Sequence, residues 1–416
     1  MEKSIIVQKY GGSSVKDAAH IKKVADHIIE TYNSGNEVVV VVSAPGNTTD
    51  RLLEMASQIT DDPDHRELDV LLATGEQQSI SLMAMAVKSQ GYNAVSLTGT
   101  QVGILTDSVH SKARIKKIDT RKLKEALKKD NIVIVAGFQG ISEENNITTL
   151  GRGGSDLSAV ALAAVLDASV CEIYTDVAGV YSTDPRITSG ARKINKISYD
   201  EMMEMASAGA KVLQSRSIEV AKKNSIDIHL RSSMEKNYSK GGTMVTKESK
   251  DLEQVVVRGV TLDEDQVKIT IIDVPDRPGV AANIFGALAA DNINVDMIIQ
   301  SSAHKSGVND ISFTVAHHRL SRARKVMEKI RHKLGTGEII IDEDVEKVSI
   351  VGIGMKSHAG VAAKMFDILS RNNINIEMIS TSEIKISSVV SKKKGKEAVK
   401  TLHREFCEKK LQFGKK

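Results

Sequence analysis

Val38-Val39-Val40-Val41-Val42-Ser43-Ala44-Pro45-Gly46 is the stretch that decides the fold. Five β-branched residues in a row leave no polar face. A strand built from them is buried on both sides, as in a parallel sheet covered by helices. Small and polar residues then end it abruptly. The pattern returns at Ile132–Ala136, ended by Gly137, and at 170–174, ended by Thr175-Asp176. Between these runs, 68–88 and 155–166 carry helical patterns. The alternation predicts an α/β sandwich with a mostly parallel central sheet, whose ligands bind beyond the carboxyl ends of the strands.

At 416 residues the chain is too long for one ordinary domain. Its 57 basic and 53 acidic residues leave a net charge of +4, which gives no electrostatic case for nucleic acid or an anionic membrane. Tryptophan is absent and aromatics are 3%, so stacking platforms for single strands are lacking. No apolar run approaches the ~20 residues of a membrane span. Two cysteines, Cys171 and Cys407, do not make a disulfide framework, so a reducing cytoplasm is expected.

The second half repeats itself. Gly279-Val280-Ala281-Ala282 recurs as Gly360-Val361-Ala362-Ala363, and 293–298 (INVDMI) recurs as 374–379 (INIEMI). Both pairs are offset by 81 positions, 279 to 360 and 293 to 374. Each copy reads as strand, Gly-containing loop, helix, Asn-containing turn, strand. Pro275 and Pro278 before the first copy's helix become Lys356 and Ala359 in the second. The polar stretch 237–251 marks the boundary with the first half. Three domains are expected, at 1–245, 246–340 and 341–416.

Four segments of the first half carry chemistry. Lys9-Tyr10-Gly11-Gly12-Ser13-Ser14 sets an ammonium beside glycines whose N–H groups can turn toward an anion. Ser43-Ala44-Pro45-Gly46-Asn47-Thr48-Thr49-Asp50 gathers hydroxyls and an acid. Thr149-Leu150-Gly151-Arg152-Gly153-Gly154-Ser155-Asp156 surrounds one arginine, a planar fork for carboxylate or phosphate, with small residues at a helix start. The segment 174–186 (YTDVAGVYSTDPR) adds Tyr181, a ring for a purine face, and Arg186. Lys211 joins Arg186 as a candidate phosphate donor. Each segment alone admits a structural explanation such as a tight turn or a helix cap. Together they supply phosphate donors, a carboxylate fork and acids.

At these residues the chain resembles the aspartate kinases of the amino-acid kinase fold over nearly its whole length. Lys9–Ser14 is similar to the family's Lys-Phe-Gly-Gly-Thr-Ser opening, Gly151–Asp156 matches its pattern, and 174–186 matches except at Ala178, where an acid or Asn is usual. The repeated half resembles paired ferredoxin-like (βαββαβ) ACT domains. The resemblance implies ATP-dependent phosphorylation of the side-chain carboxylate of L-aspartate, opening the route to lysine, threonine and methionine. It implies Lys9 on the transferring phosphate, with Gly11, Gly12 and Ser13 wrapping the phosphates. It implies Arg152 on the α-carboxylate and Glu76, in Thr74-Gly75-Glu76, on the ammonium. It also implies that Ser43, Thr49 and Ser155 line the substrate pocket, that Asp156 orients Lys9 or the substrate, and that Thr175, Asp176, Tyr181, Asp184, Arg186 and Lys211 hold the nucleotide. Mg²⁺ is expected to ride on ATP, since no protein metal cage is legible.

Lysine and threonine are the implied effectors. They are expected at Asp276, Asn294, Asp296 and Gln300 of the first repeat, and at Val361, Asn375, Ile376, Ser382 and Glu383 of the second. A homodimer or larger homo-oligomer is implied, and an internal start at Met244 is a further expectation for a separate regulatory subunit. The alternatives are an amino-acid sensor with a degenerate kinase half, or a uridylate, acetylglutamate or glutamate kinase of the same fold. Intact Lys9, Arg152, Asp156 and Arg186 argue against the first, and the double ACT half against the others.

Overall fold

The computed structural model describes residues 3–210, 212–234, 241–247, 256–301, 307–353, 355 and 360–409. It divides into two compact units. The first comprises 1–180, 193–206 and 211–250, and the second 181–192, 207–210 and 251–416.

The first unit is built on an eight-stranded sheet. Ile5–Tyr10 lies at its centre, parallel to Glu37–Val42 on one side and to Val170–Thr175 on the other. Ile132–Ala136 and Ala94–Leu97 extend the first side in parallel, and Ile228–Ser232 extends the second. Only the pairing of Ile228–Ser232 with Thr243–Thr246 is antiparallel. All three apolar runs are strands, and Val38 to Val42 and Ile132 to Ala136 are all fully buried. Helices Ala18–Asn33 and His65–Lys88 contribute Ile28, Met83 and Val87 to the core over this sheet. The helix Gly154–Leu166 also packs on it and is buried nearly all round.

A second, four-stranded sheet holds Ile115–Ile118, Ile104–Thr106, Gln139–Ile141 and Ile147–Thr149. The turn carrying Arg152 therefore follows a strand of this small sheet and not one of the central sheet. Its short strands, three or four residues each, lack the long apolar runs that announce the others.

In the second unit the first repeat is complete. Val267–Pro275, Val280–Ala290, Val295–Gln300, Val308–Val315, Leu320–Leu334 and Ile339–Asp342 form a βαββαβ unit with one four-stranded sheet. The second repeat runs Val345–Ile353, Val361–Arg371, Met378–Thr381, Lys385–Ser391 and Gly395–His403. Its fourth strand is Val256–Asp263, antiparallel to Val345–Ile353. A boundary at 246 assigns that strand to the first repeat, yet its hydrogen bonds belong to the second. Among the described residues no strand follows Gly395–His403, so Val345–Ile353 has an open edge that the upstream strand fills.

Met297 of the first repeat packs with Val345, Met378 and Val389 of the second. Lys268 pairs with Glu377 at 2.5 Å, and the fully buried Lys347 pairs with Asp296. Asp296 and Glu377 occupy the same position of the two repeats, so each copy neutralises a lysine of the other.

Ile134 is fully buried on the strand Ile132–Ala136, between Glu37–Val42 and Ala94–Leu97 of the eight-stranded sheet. Ile134→Ala is expected to cost about 2–5 kcal/mol, read as a lower denaturant midpoint of the first unit.

Candidate active site

Because Ile5–Tyr10, Glu37–Val42, Ile132–Ala136 and Val170–Thr175 run parallel, the segments that follow them leave the sheet at one edge. After Tyr10 the chain enters a short 3-10 turn, Gly12–Val15. Gly11 donates its N–H to the carbonyl of Tyr174 at 3.3 Å, and Gly46 donates to that of Gly12 at 2.9 Å. A Cβ on Gly12 would stand 2.8 Å from the Ala44 carbonyl oxygen and 2.9 Å from that of Gly46. Only glycine lets the two loops lie this close. Ser14 turns inward and donates to Ser233 at 2.7 Å.

Lys9 forms an ion pair with Asp156 at 2.7 Å, and both side chains are only 11% exposed. Asp156 stands in the first turn of Gly154–Leu166, where the positive end of the helix favours a carboxylate. Ser155 is buried beside it, close against Gly137 at the end of its strand.

Glu76 lies in the helix His65–Lys88 and is 3% exposed. One carboxylate oxygen accepts from the Ala44 N–H at 3.0 Å, while the other is buried with no hydrogen-bond partner among the described residues. Burial raises its pKa to about 7, partly opposed by the Ala44 N–H. A buried carboxylate oxygen that lacks a donor suits an incoming cation. Ser43 follows its strand, with its N–H bonded to Tyr10 and its carbonyl to the Ser79 hydroxyl. Thr49 opens the helix Thr48–Ser57 and is half-buried.

Arg152 is exposed on a turn between Gly151 (φ +79°) and Gly153 (φ +71°). Its carbonyl accepts from Gln214 at 2.7 Å, and Arg216 donates to the carbonyls of Leu150 and Ala113 at 2.8 and 2.9 Å. Thr175 donates to Asp176 at the end of its strand, at 3.0 Å. The structure thus brings Lys9, Gly11, Gly12, Ser13, Ser43, Thr49, Glu76, Arg152, Ser155, Asp156, Thr175 and Asp176 into the first unit.

Tyr181, Asp184 and Arg186 belong to the segment 181–192, which packs within the second unit. There Ser182 is hydrogen-bonded to the fully buried His403 at 2.8 Å, Val260 donates to the Ser182 carbonyl at 2.7 Å, and Ile187 packs on the core of the second repeat. Arg186 forks onto Asp184, its hydrogen bonds holding that carboxyl below the usual carboxylate range. Lys211, Lys356 and Ala359 lie outside the described residues, as does most of 237–251.

Among the effector candidates, Asn294, Gln300, Asn375, Ser382 and Glu383 are exposed and Ile376 is half-buried. Asp276 accepts from Asn309 at 3.3 Å, Asp296 is tied to Lys347, and Val361 is fully buried in the second repeat's core. The side chain of Val361 is thus engaged in packing.

The amino acid kinase family model matches residues 4–232, and ACT domain models match 268–332 and 348–406. The aspartate kinase of Stutzerimonas stutzeri is 48% identical over 404 residues, 97% of each chain. The chain belongs to the aspartate kinase family. The aspartokinase of Helicobacter pylori is also 48% identical, over 96% of this chain and 98% of that one. The solved structure of Escherichia coli aspartokinase III superposes with a TM-score of 0.80 at 26% identity, covering 97% of this chain and 100% of that one. As an aspartate kinase the protein is a phosphotransferase that uses a nucleotide and takes a carboxyl group as acceptor. No helix among the described residues is long and apolar enough to cross a membrane.

Three side chains that hold the segments around the Arg152 turn were not legible in the sequence: Asp69, Gln214 and Arg216. Their partners lie some 40 to 100 positions away, so no local motif marks them.

The pKa of Glu76 is raised on folding, so its stability contribution is full below about 4.5 and is lost as pH rises through about 7. The ligand-free enzyme should lose stability over that window, and Glu76→Gln should flatten this part of a thermal-shift profile.

Proposed function

We propose that the protein transfers the γ-phosphoryl group of ATP to the β-carboxylate of L-aspartate and that lysine, threonine or both restrain it through the ACT repeats. The observation that carries this reading is the pairing of two opposed elements in one kinase unit. Glu76 has a buried, unpartnered oxygen fit for an ammonium, and Lys9 stands beside a Gly-Gly turn fit for phosphate. The structure of Escherichia coli aspartokinase III in complex with aspartate and ADP (R-state) supports the substrates. Its complex with lysine and aspartate (T-state), similar to this chain with a TM-score of 0.72, supports lysine as an effector.

The roles then follow from charge and geometry. Arg152 clamps the α-carboxylate and Glu76 takes the ammonium, which favours its ionised form. Ser43, Thr49 and Ser155 border the aspartate. The β-carboxylate is already ionised at neutral pH, since its ordinary pKa is ~4. It needs no general base; one of its oxygens attacks the γ-phosphorus as the bond to the β,γ-bridging oxygen breaks, and ADP leaves with those electrons. Lys9 neutralises charge on the phosphoryl group in transit, and Asp156 keeps its ammonium directed. Gly11, Gly12 and Ser13 wrap the phosphates, and Thr175, Asp176, Tyr181, Asp184, Arg186 and Lys211 hold the rest of the nucleotide.

Mg²⁺ bound with the nucleotide supplies further charge neutralisation. Among the described residues no three His, Cys, Asp or Glu side chains gather as a metal cage. The route to lysine, threonine and methionine, a cytoplasmic location and a homo-oligomer belong to the same proposal. So do effector contacts at the exposed polar residues of the repeats, and a shorter subunit begun at Met244.

Hydroxylamine trapping of the acyl phosphate tests the reaction. Aspartate-dependent hydroxamate is expected, with Lys9→Met lowering kcat by roughly 10²–10³-fold and Arg152→Ala raising KM for aspartate. Folded protein that makes no hydroxamate would overturn the assignment. Because the ammonium needs Glu76 ionised, KM for aspartate should rise as pH falls below about 7, and this dependence should vanish in Glu76→Gln. Lysine and threonine, added singly and together, should lower the rate of the full chain; a rate indifferent to all three additions would remove the regulatory part.

A further inference from the structure

The helix His65–Lys88 carries a second buried carboxylate that the proposed mechanism does not use. Asp69 is 0% exposed. Its Oδ1 accepts from the Thr149 hydroxyl at 2.5 Å, and the Ser111 N–H reaches Oδ1 and Oδ2 at 3.1 and 3.0 Å. His110 Nδ1 lies 2.8 Å from Oδ2. One side chain thus ties the segment around Ser111 and the end of the strand Ile147–Thr149 to one point of the helix. The two segments are also joined directly, since Ala113 donates to the Thr149 carbonyl at 2.9 Å. A Cβ on Gly151 would stand 3.0 Å from the Ser111 carbonyl oxygen, so the turn before Arg152 rests on the segment that Asp69 holds. From the other side Arg216 and Gln214 bind the carbonyls of Leu150, Ala113 and Arg152.

Glu76 stands seven residues after Asp69. Two helical turns place both on one face, about 10 Å apart along the axis. One rigid helix therefore holds both the ammonium acceptor and the anchor of the arginine turn.

We propose that Asp69 is a positioning residue for aspartate recognition: through Thr149 and Ser111 it fixes the Arg152 turn at a set distance from Glu76. This rests on the reading of Arg152 as the α-carboxylate clamp. Asp69 touches no substrate. It sets the spacing between the groups that take the two ends of the α-amino acid, and so discriminates by spacing. Losing about 1 Å of definition there costs up to roughly 100-fold.

A double-mutant cycle with steady-state kinetics tests this in the full chain, with Asp69→Asn, Arg152→Ala and the pair. Asp69→Asn is expected to raise KM for aspartate about tenfold or more, with KM for ATP and kcat within twofold. In the Arg152→Ala background the same change should add little, since the group it positions is gone. If the two effects multiply, or if Asp69→Asn changes KM for ATP or kcat as much as KM for aspartate, Asp69 is a stability residue only and the proposal falls. If Arg152→Ala leaves KM for aspartate unchanged, the clamp role itself fails, an outcome read separately from the Asp69 arm, and the proposal falls with it. Should Asp69→Asn not fold, Thr149→Val removes one donor to the same carboxylate. It should show the same aspartate-only pattern at smaller size, and its absence there would overturn the proposal.

Discussion

The parallel pairing of Ile5–Tyr10 with a neighbour on each side is the constraint on which the rest of the kinase unit depends. Parallel strands need crossovers, so each strand must be covered by a helix and end at the same edge of the sheet. That geometry brings Lys9, the Gly11-Gly12 turn, Ser43 and Thr175 to one edge from points far apart in the chain. It also explains the unbroken apolar runs at 38–42 and 132–136, since a strand with helices on both faces has no solvent side; where polar residues do enter, as Gln8 and Glu172, they are buried and bonded to each other at 2.9 Å.

The electrostatics of the unit complement this layout. The ammonium of Lys9 is already compensated by Asp156, so in the proposed transfer a phosphate group would meet a cation held in place and not one that must be desolvated afresh. Glu76 is left with half its carboxylate unanswered, and its raised pKa is the cost of that. One group is thus ordered before a ligand arrives and the other waits for one. Under the proposed roles this divides the work between a group aligned for transfer and one that tells a substrate from water.

What the sequence disclosed follows from the range of the signals. The valine run, the glycine turns and the 81-residue repeat are local patterns, and each corresponds to a strand, a close loop approach or a βαβ segment. Asp69 carries no such mark, because within Glu67-Leu68-Asp69 it reads as an ordinary polar position on a helix. Its meaning lies in Ser111 and Thr149, over 40 and 80 residues away. The small sheet was silent for another reason: strands of three or four residues are too short to show a period. The segment 181–192 reads as a kinase loop by motif, and only its packing against Val260, His403 and the second repeat's core reveals where its support lies.

The strand Val256–Asp263 has one more implication. Asp263 lies opposite Lys347 in the antiparallel pair, so the chain leaves the second repeat's sheet and re-enters it at adjacent points. The whole first repeat is an excursion between those two points. Topologically it is an insert: a change of length within it leaves both strands of the host sheet's joint in place, but an exchange must still supply partners for the buried Lys347 and for Glu377. The reverse does not hold, since the second repeat is split in sequence and no single contiguous exchange can replace it. In a tandem pair that looks symmetric, the two copies therefore have unequal freedom to change in length and loop structure, and the inserted copy has more of it.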